Sequence, residues 1–312
     1  MSSRPGGLAP GTLWGAIVAA TRRARSQGVL QPIETVQQEI EDAGVRFLLR
    51  RAASLARKEQ ARGRSDRSGT ADPFLPYDPA LFVADLSPTH VALLNKFPVL
   101  DHHVLIVTRT YAAQETALDQ ADFDALAACM AEFAALGFYN AGREAGASQD
   151  HKHLQLVPLP LATGRSEVPI QSLLPRTRQE ATLTALGLPF RHAYADLPQA
   201  IWVRPDQVGP CLAEVYRSLC TAVGIGEREG LRPTPYNLLV TREWMLLVPR
   251  SHERCAGISV NALGFAGSLF VKDDAQLEFV LRTGPMSVLR AVAIPSRGAR
   301  PAAAPEDPRS DP

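Results

Sequence analysis

The chain has 312 residues, 46% hydrophobic and 21% charged, with 33 Lys and Arg against 32 Asp and Glu. This is ordinary globular usage, with ample core material and the length of one large domain or two ordinary ones. A formal charge of +1 argues against a general nucleic-acid or membrane-surface binder, which would carry a basic excess, and leaves room for a local anion pocket. The cysteines Cys129, Cys211, Cys220 and Cys255 form no C-x-x-C pair, so they read as reduced thiols of a cytoplasmic protein, neither zinc ligands nor a disulfide framework. No apolar run reaches the roughly 18 residues of a membrane span. Residues 1–12 lack the basic head and apolar core of a secretory signal and read as a flexible N-terminus.

In chain order, Leu13 to Arg25 predicts a helix, with Leu13, Trp14, Ile17 and Val18 on one face. Val36–Ile40 is short and amphipathic, and Val45–Lys58 reads equally as strand or helix. Gln60–Ala71 is charged and loose, and Pro73, Pro76 and Pro79 stiffen an extended connection. Strands are predicted at Leu81–Ala84, His90–Asn95 and His103–Thr108. The spacing of Phe123, Leu126, Ala127, Met130, Phe133, Ala134 and Phe138 predicts one helix over Asp119–Gly142. A small polar turn, Gly146–Asp150, leads into a strand over His151–Val157. Pro158–Ser172 reads as a crossing loop and Gln207–Gly224 as a helix. Tyr236–Thr241 and Trp244–Pro249 read as a hairpin, Asp274–Leu289 as a last helical region and residues 298–312 as a disordered tail.

An internal echo, NKFPVLDHHVLIVTR from Asn95 and NLLVTREWMLLVPR from Asn237, suggests two related α+β halves. The competing reading is that any two hairpins look alike. The organisation is then a flexible segment 1–12, a half carrying the histidine strand at 13–165, a second half at 166–297 and a tail at 298–312.

The chemistry concentrates at His151-x-His153-x-Gln155. On a strand these side chains share a face, while Lys152, Leu154 and Leu156 take the other, so Lys152 reads as structural. Two imidazoles and an amide beside a Gly/Ser turn suit a phosphoryl group. An imidazole nitrogen can attack phosphorus, and backbone N–H groups can hold its oxygens. The motif alone also fits a metal pair or two half-buried histidines. His90, His102, His103, His192 and His252 lack a comparable setting and read as ordinary surface or half-buried residues.

The stretch Asn140-x-Gly142-x-x-x-Gly146-Ala147-Ser148-x-x-His151-x-His153-x-Gln155 resembles the histidine triad superfamily, in the branch where glutamine takes the third histidine's place. Pro73–Pro79, Leu94-Asn95-Lys96-Phe97-Pro98, Tyr236–Leu239 through Trp244–Arg250, and Val260–Gly267 resemble the diadenosine tetraphosphate phosphorylases, also called ATP adenylyltransferases. The likeness spans roughly residues 10–290.

The resemblance implies an α+β, HIT-like fold, an antiparallel sheet with packed helices in two related halves. It implies phosphorolysis of diadenosine tetraphosphate to ATP and ADP. His153 matches the family nucleophile, with Gln155 and His151 as its catalytic company. The matching substrate-binding positions are Lys58, Asn95, Lys96, Asn140, Gly146, Ala147, Ser148, Gln149, Asn261, Ala262, Leu263 and Lys272. Ser268 departs from the methionine common in the family. The implied partners are small-molecule nucleotides and phosphate, with no nucleic acid and no membrane. A divalent cation such as Mg2+ would ride on the polyphosphate, with no protein-bound metal site and no organic cofactor. The competing functions are a related nucleotidyltransferase with sulfate or a sugar phosphate as acceptor, and a non-catalytic nucleotide-binding regulator.

Overall fold

The computed structural model describes residues 9–52, 72, 74–162, 168–175, 183–184, 186–226 and 234–296. Lys58, the loop expected over 60–71 and the tail over 298–312 lie outside them.

Nine strands form one sheet: β3 (Phe82–Asp85), β4 (His90–Leu94), β5 (Val104–Thr108), β6 (Ala135–Ala141), β7 (His153–Pro158), β8 (Leu183–Thr184), β9 (Ala193–Asp196), β10 (Tyr236–Val240) and β11 (Trp244–Pro249). Their order is β3-β4-β5-β7-β6-β10-β11-β9-β8, antiparallel throughout. Pairing of β6 with β10 joins N- and C-terminal residues in this one sheet. A smaller sheet runs β1 (Val36–Asp42), β2 (Val45–Arg51), β14 (Ser268–Val271), with β14 parallel to β2. A short hairpin pairs β12 (Arg254–Cys255) with β13 (Ile258–Ser259).

Three layers result. On one face, helices α1 (Leu13–Ser26), α2 (Gln120–Met130) and α3 (Pro205–Val223) bury Ile17, Phe123, Leu126, Leu212 and Leu219 with Leu154, Leu156 and Tyr139 of the sheet. On the other, the small sheet packs with α4 (Ala262–Phe265), α5 (Asp274–Thr283) and α6 (Pro285–Val292), and Phe47, Leu49, Leu263 and Leu289 meet Phe138, Val157 and Leu246. The period-two alternation of β7 therefore turns His153, Gln155 and Val157 toward this second face.

Several expectations change. The helix over Asp119–Gly142 is in fact α2 followed by β6. Asp119 caps α2 through Ala121 and Asp122 N–H groups in a capping box. Beyond Met130, the run Ala135–Ala141 is buried at every position. A strand covered on both faces has no polar alternation, so periodicity cannot separate it from a buried helix. Gly137 permits the reversal, since a Cβ there would lie 2.8 Å from Leu126 Cδ1. The Asp274–Leu289 region breaks at Gly284, φ +84°, into α5 and α6. Val36–Ile40 is strand β1, Val45–Arg51 resolves as strand, and β9 and β14 carried no expectation. Trp14 is 38% exposed, off the buried α1 face of Leu13, Ile17, Ala20 and Ala24, and its ring packs beside Phe133 and His102.

Candidate active site

Strand β7 begins at His153, and His151, just before it, makes an isolated bridge to Ala113. The β6–β7 ladder ends at the pair Phe138–Gln155. Beyond it the Gln114 amide stands in for the backbone. Its Oε1 accepts His153 N–H at 2.8 Å, while Nε2 donates to His153 O at 3.2 Å and Asn140 O at 3.0 Å. Gln114 thus fixes both backbone groups of His153 from a loop residue 3% exposed.

The His153 ring is buried, with Nδ1 2.8 Å from the carbonyl of His151. A carbonyl only accepts, so Nδ1 carries the hydrogen and Nε2 the lone pair. Burial pushes the His153 pKa down to about 4, and the neighbouring His151 adds to the fall against the pull of that hydrogen bond. The imidazole is therefore neutral at physiological pH, the state a nucleophile requires. The Phe74 ring, from the proline-punctuated segment, packs edge-on against His153 and His151 at centroid distances of 5.1 and 5.7 Å.

His151 has no free ring nitrogen. Nδ1 lies 2.7 Å from Asp72 Oδ2, and Nε2 lies 2.9 Å from both Thr108 Oγ1 and Thr108 O. The expected second imidazole on phosphorus is thus anchored by protein groups, and its contribution to His153 is its backbone carbonyl.

Gln155 is oriented by a chain of hydrogen bonds with one self-consistent assignment. Asn95 Oδ1 accepts Phe97 N–H at 3.0 Å, so Nδ2 is the donor to His103 Nδ1 at 3.3 Å. His103 Nε2 then carries a hydrogen and donates to Gln155 Oε1 at 3.0 Å. The Gln155 amide NH2 remains as the donor side. His103, read from sequence as ordinary, is 4% exposed and sets this orientation.

The glycine turn sits beside the end of β6. Gly142 and Gly146 have φ of +90° and +84°, and a Cβ on Gly146 would lie 2.6 Å from Val260 O. The turn is thus packed directly on the segment before α4. Asn140 Oδ1 accepts from Asn237 Nδ2 at 2.8 Å and Ala262 N–H at 2.9 Å. Asn237 Oδ1 accepts Arg250 Nη1 at 2.5 Å, and Arg250 Nη1 also donates to Ala145 O and Val260 O. Burial pushes the Arg250 pKa down to about 9, opposed by Glu253. This buried network ties the expected Asn140, the glycine turn and the Asn261–Leu263 segment into one unit.

Two family models match the chain: "Ap4A phosphorylase N-terminal domain" over residues 3–176 and "ATP adenylyltransferase C-terminal domain" over residues 186–295. The chain belongs to the Ap4A phosphorylase family. It is 30% identical over 283 residues to Saccharomyces cerevisiae diadenosine 5',5'''-P1,P4-tetraphosphate phosphorylase 2, covering 82% of this chain and 86% of that protein. It is 29% identical over 280 residues to the Protein APA1 of the same yeast, covering 81% and 84%. The crystal structure of yeast Ap4A phosphorylase Apa2 superposes with a TM-score of 0.75 at 25% identity, covering 94% of this chain and 98% of that one. Its complex with Ap4A superposes at 0.74 and 25% identity, covering 92% and 99%.

The other positions that the family resemblance singled out are placed as follows. Ser148 and Gln149 are part-exposed between the glycine turn and His151, and Ala147 is buried. Lys96 is exposed, its ammonium 5.8 Å from the Phe97 ring centroid. Asn261 caps α4 by accepting Leu263 N–H at 3.0 Å, and Ala262 and Leu263 are buried. Lys272 follows β14, part-exposed, and its ammonium has no hydrogen bond or ion pair among the described residues. Lys152 points away from His153, as expected, and donates to Asp122 Oδ2 at 2.6 Å. His90, read as ordinary, is 2% exposed and meets Asp122 Oδ1 at 3.1 Å. Gln114 and His103 were missed because their partners lie far along the chain; the one local sign for His103 was its place at the head of the predicted strand His103–Thr108.

Proposed function

We propose that the chain catalyses diadenosine tetraphosphate + phosphate = ATP + ADP through an adenylyl-His153 intermediate. The observation that carries this reading is a buried, neutral His153 with Nδ1–H held and Nε2 left as the nucleophilic lone pair. In the first step Nε2 attacks the α-phosphorus, the N–P bond forms, and the P–O bond to the β-phosphate breaks. That oxygen leaves with the electron pair as ATP. In the second step an oxygen of inorganic phosphate attacks the same phosphorus, the N–P bond breaks, and ADP leaves.

The Gln155 NH2 donates to the phosphoryl oxygens, and the Ser148 and Gln149 N–H groups share the negative charge, those of Gly146 and Ala147 being committed to Arg143 O and Gly142 O. Gln114 and the His151 carbonyl hold the nucleophile in line. A polyphosphate is a good leaving group, so no third histidine is needed as an acid. Lys272 and Lys58 fit phosphate partners, and a divalent cation such as Mg2+ fits the polyphosphate oxygens themselves. A HIT-like fold in two related halves and a cytoplasmic setting belong to the same reading; the described cysteines are free thiols.

The test is intact-mass spectrometry with product analysis. Ap4A without phosphate should add one adenylyl mass to the wild type and none to His153→Ala. Added phosphate should then discharge it as ADP. An unmodified wild type that still forms ADP would sink the covalent route, and discharge by sulfate but not phosphate would favour another acceptor.

A further inference from the structure

The proline-punctuated segment leading into β3 meets the nucleophile through one carboxylate and one ring. Asp72, whose side chain is 20% exposed, divides its carboxylate between two partners. Oδ2 lies 2.7 Å from His151 Nδ1, and Oδ1 accepts Phe74 N–H at 2.9 Å. A carboxylate only accepts, so His151 Nδ1 carries the hydrogen. Farther along, Tyr77 stacks on Phe82 with ring centroids 5.8 Å apart, and Asp78 Oδ1 accepts Ala80 N–H at 2.9 Å. Phe74 is thereby pinned from both sides.

Held this way, Phe74 is 8% exposed and packs with Val91, Leu93, Leu105 and Val107. Val107 and Leu105 stand opposite His153 and Gln155 in the β5–β7 ladder, and residues directly opposed across a ladder share a sheet face. The Phe74 ring therefore lies on the nucleophile's own face, and it is the one aromatic ring against His153 among the described residues. An imidazolium needs water or another acceptor at both nitrogens, and an apolar ring offers neither. Burial is what pushes the His153 pKa down to about 4, with His151 adding to the fall. The ionisable groups on the packed elements are Asp72, Tyr111 and Glu115, His103 beside β5, and the exposed Arg143–Asp150 pair, besides His151 itself.

We propose that Asp72 is a positioning residue, its carboxylate latching this segment to His151 so that Phe74 covers His153 and keeps water from the nucleophile. This rests on the reading of His153 as nucleophile given above. The test is a pH titration of the histidine ring nitrogens by NMR in the isotope-labelled full chain, with His153 assigned by the signal lost in His153→Gln. Wild-type His153 should titrate near pH 4. Phe74→Ala and Asp72→Asn should each raise that midpoint by about 1 pH unit or more, as water reaches the ring. The double variant should rise no further than Phe74→Ala alone, because the carboxylate acts through the ring. An unchanged midpoint in Phe74→Ala overturns the cover, as does a fall, which a ring face that had favoured the cation would give. An unchanged midpoint in Asp72→Asn, or additive shifts in the double variant, overturns the latch. Should Phe74→Ala not fold, Phe74→Val keeps part of the cover and is read in its place, with a smaller rise. The titration needs no turnover, so a shifted midpoint in a chain that never becomes adenylylated sinks only the reaction. An adenylylated enzyme whose midpoint ignores both variants sinks only the latch.

Discussion

Acidification should leave the nucleophile working far below the pH at which an ordinary imidazole is lost. With a pKa of about 4 for His153, roughly nine-tenths of the ring is neutral at pH 5. An unperturbed histidine at ~6.5 would be only about 3% neutral there. Single-turnover adenylylation at pH 5 should therefore stay close to its pH 7.5 rate, against a roughly 30-fold loss for an unshifted group. The stability sign follows from the same shift. Between about pH 6.5 and 4 the unfolded chain binds a proton that folded His153 refuses, so stability is full above that window and falls as pH drops through it. The fall from His153 amounts to about 3 kcal/mol, from 6.5 down to about 4. Urea unfolding of the wild type and His153→Gln at pH 7.5 and 4.5 isolates it, with the wild type losing about 2–3 kcal/mol more. An adenylylation midpoint near 6.5, or equal losses in the two proteins, would refute the burial argument.

Gln114→Leu removes the bonds to His153 N and O and to Asn140 O. It should lower kcat about 10- to 100-fold with KM nearly unchanged, and a rise in KM alone would show that His153 is placed without it. Lys152→Met leaves the buried Asp122 carboxylate with only His90 and the Asp119 N–H; burial raises its pKa, but the bonds from His90 and Lys152 hold it below its usual range. It should destabilise by about 3–5 kcal/mol in urea titration, and a cost under about 1 kcal/mol would put that buried pair in doubt. Gln155→His gives the intermediate a general base and should release AMP in phosphate-free buffer, a gain of roughly 10²-fold in hydrolysis. An unchanged AMP-to-ADP ratio in a folded, adenylylated variant would mean that Gln155 does not shield the intermediate from water.

Short-range pattern determined a good deal. The alternation of His153 and Gln155 set their common face, because side-chain direction on a strand depends only on period two. The 236–249 hairpin and α3, closed by Gly224 at φ +74°, were legible for the same local reason. Tertiary structure decided what local pattern leaves degenerate. Ala135–Ala141 became a central strand because β7 and β10 pair with its edges and the outer layers cover it on both faces, an environment absent from its own residues. Gln114 and His153 are 39 residues apart, and Asn140 and Ala262 are 122 apart. The placement of the His153 backbone and the orientation of Gln155 both depend on such distant partners. A polar side chain's role is set by which donors and acceptors surround it after the chain has closed on itself.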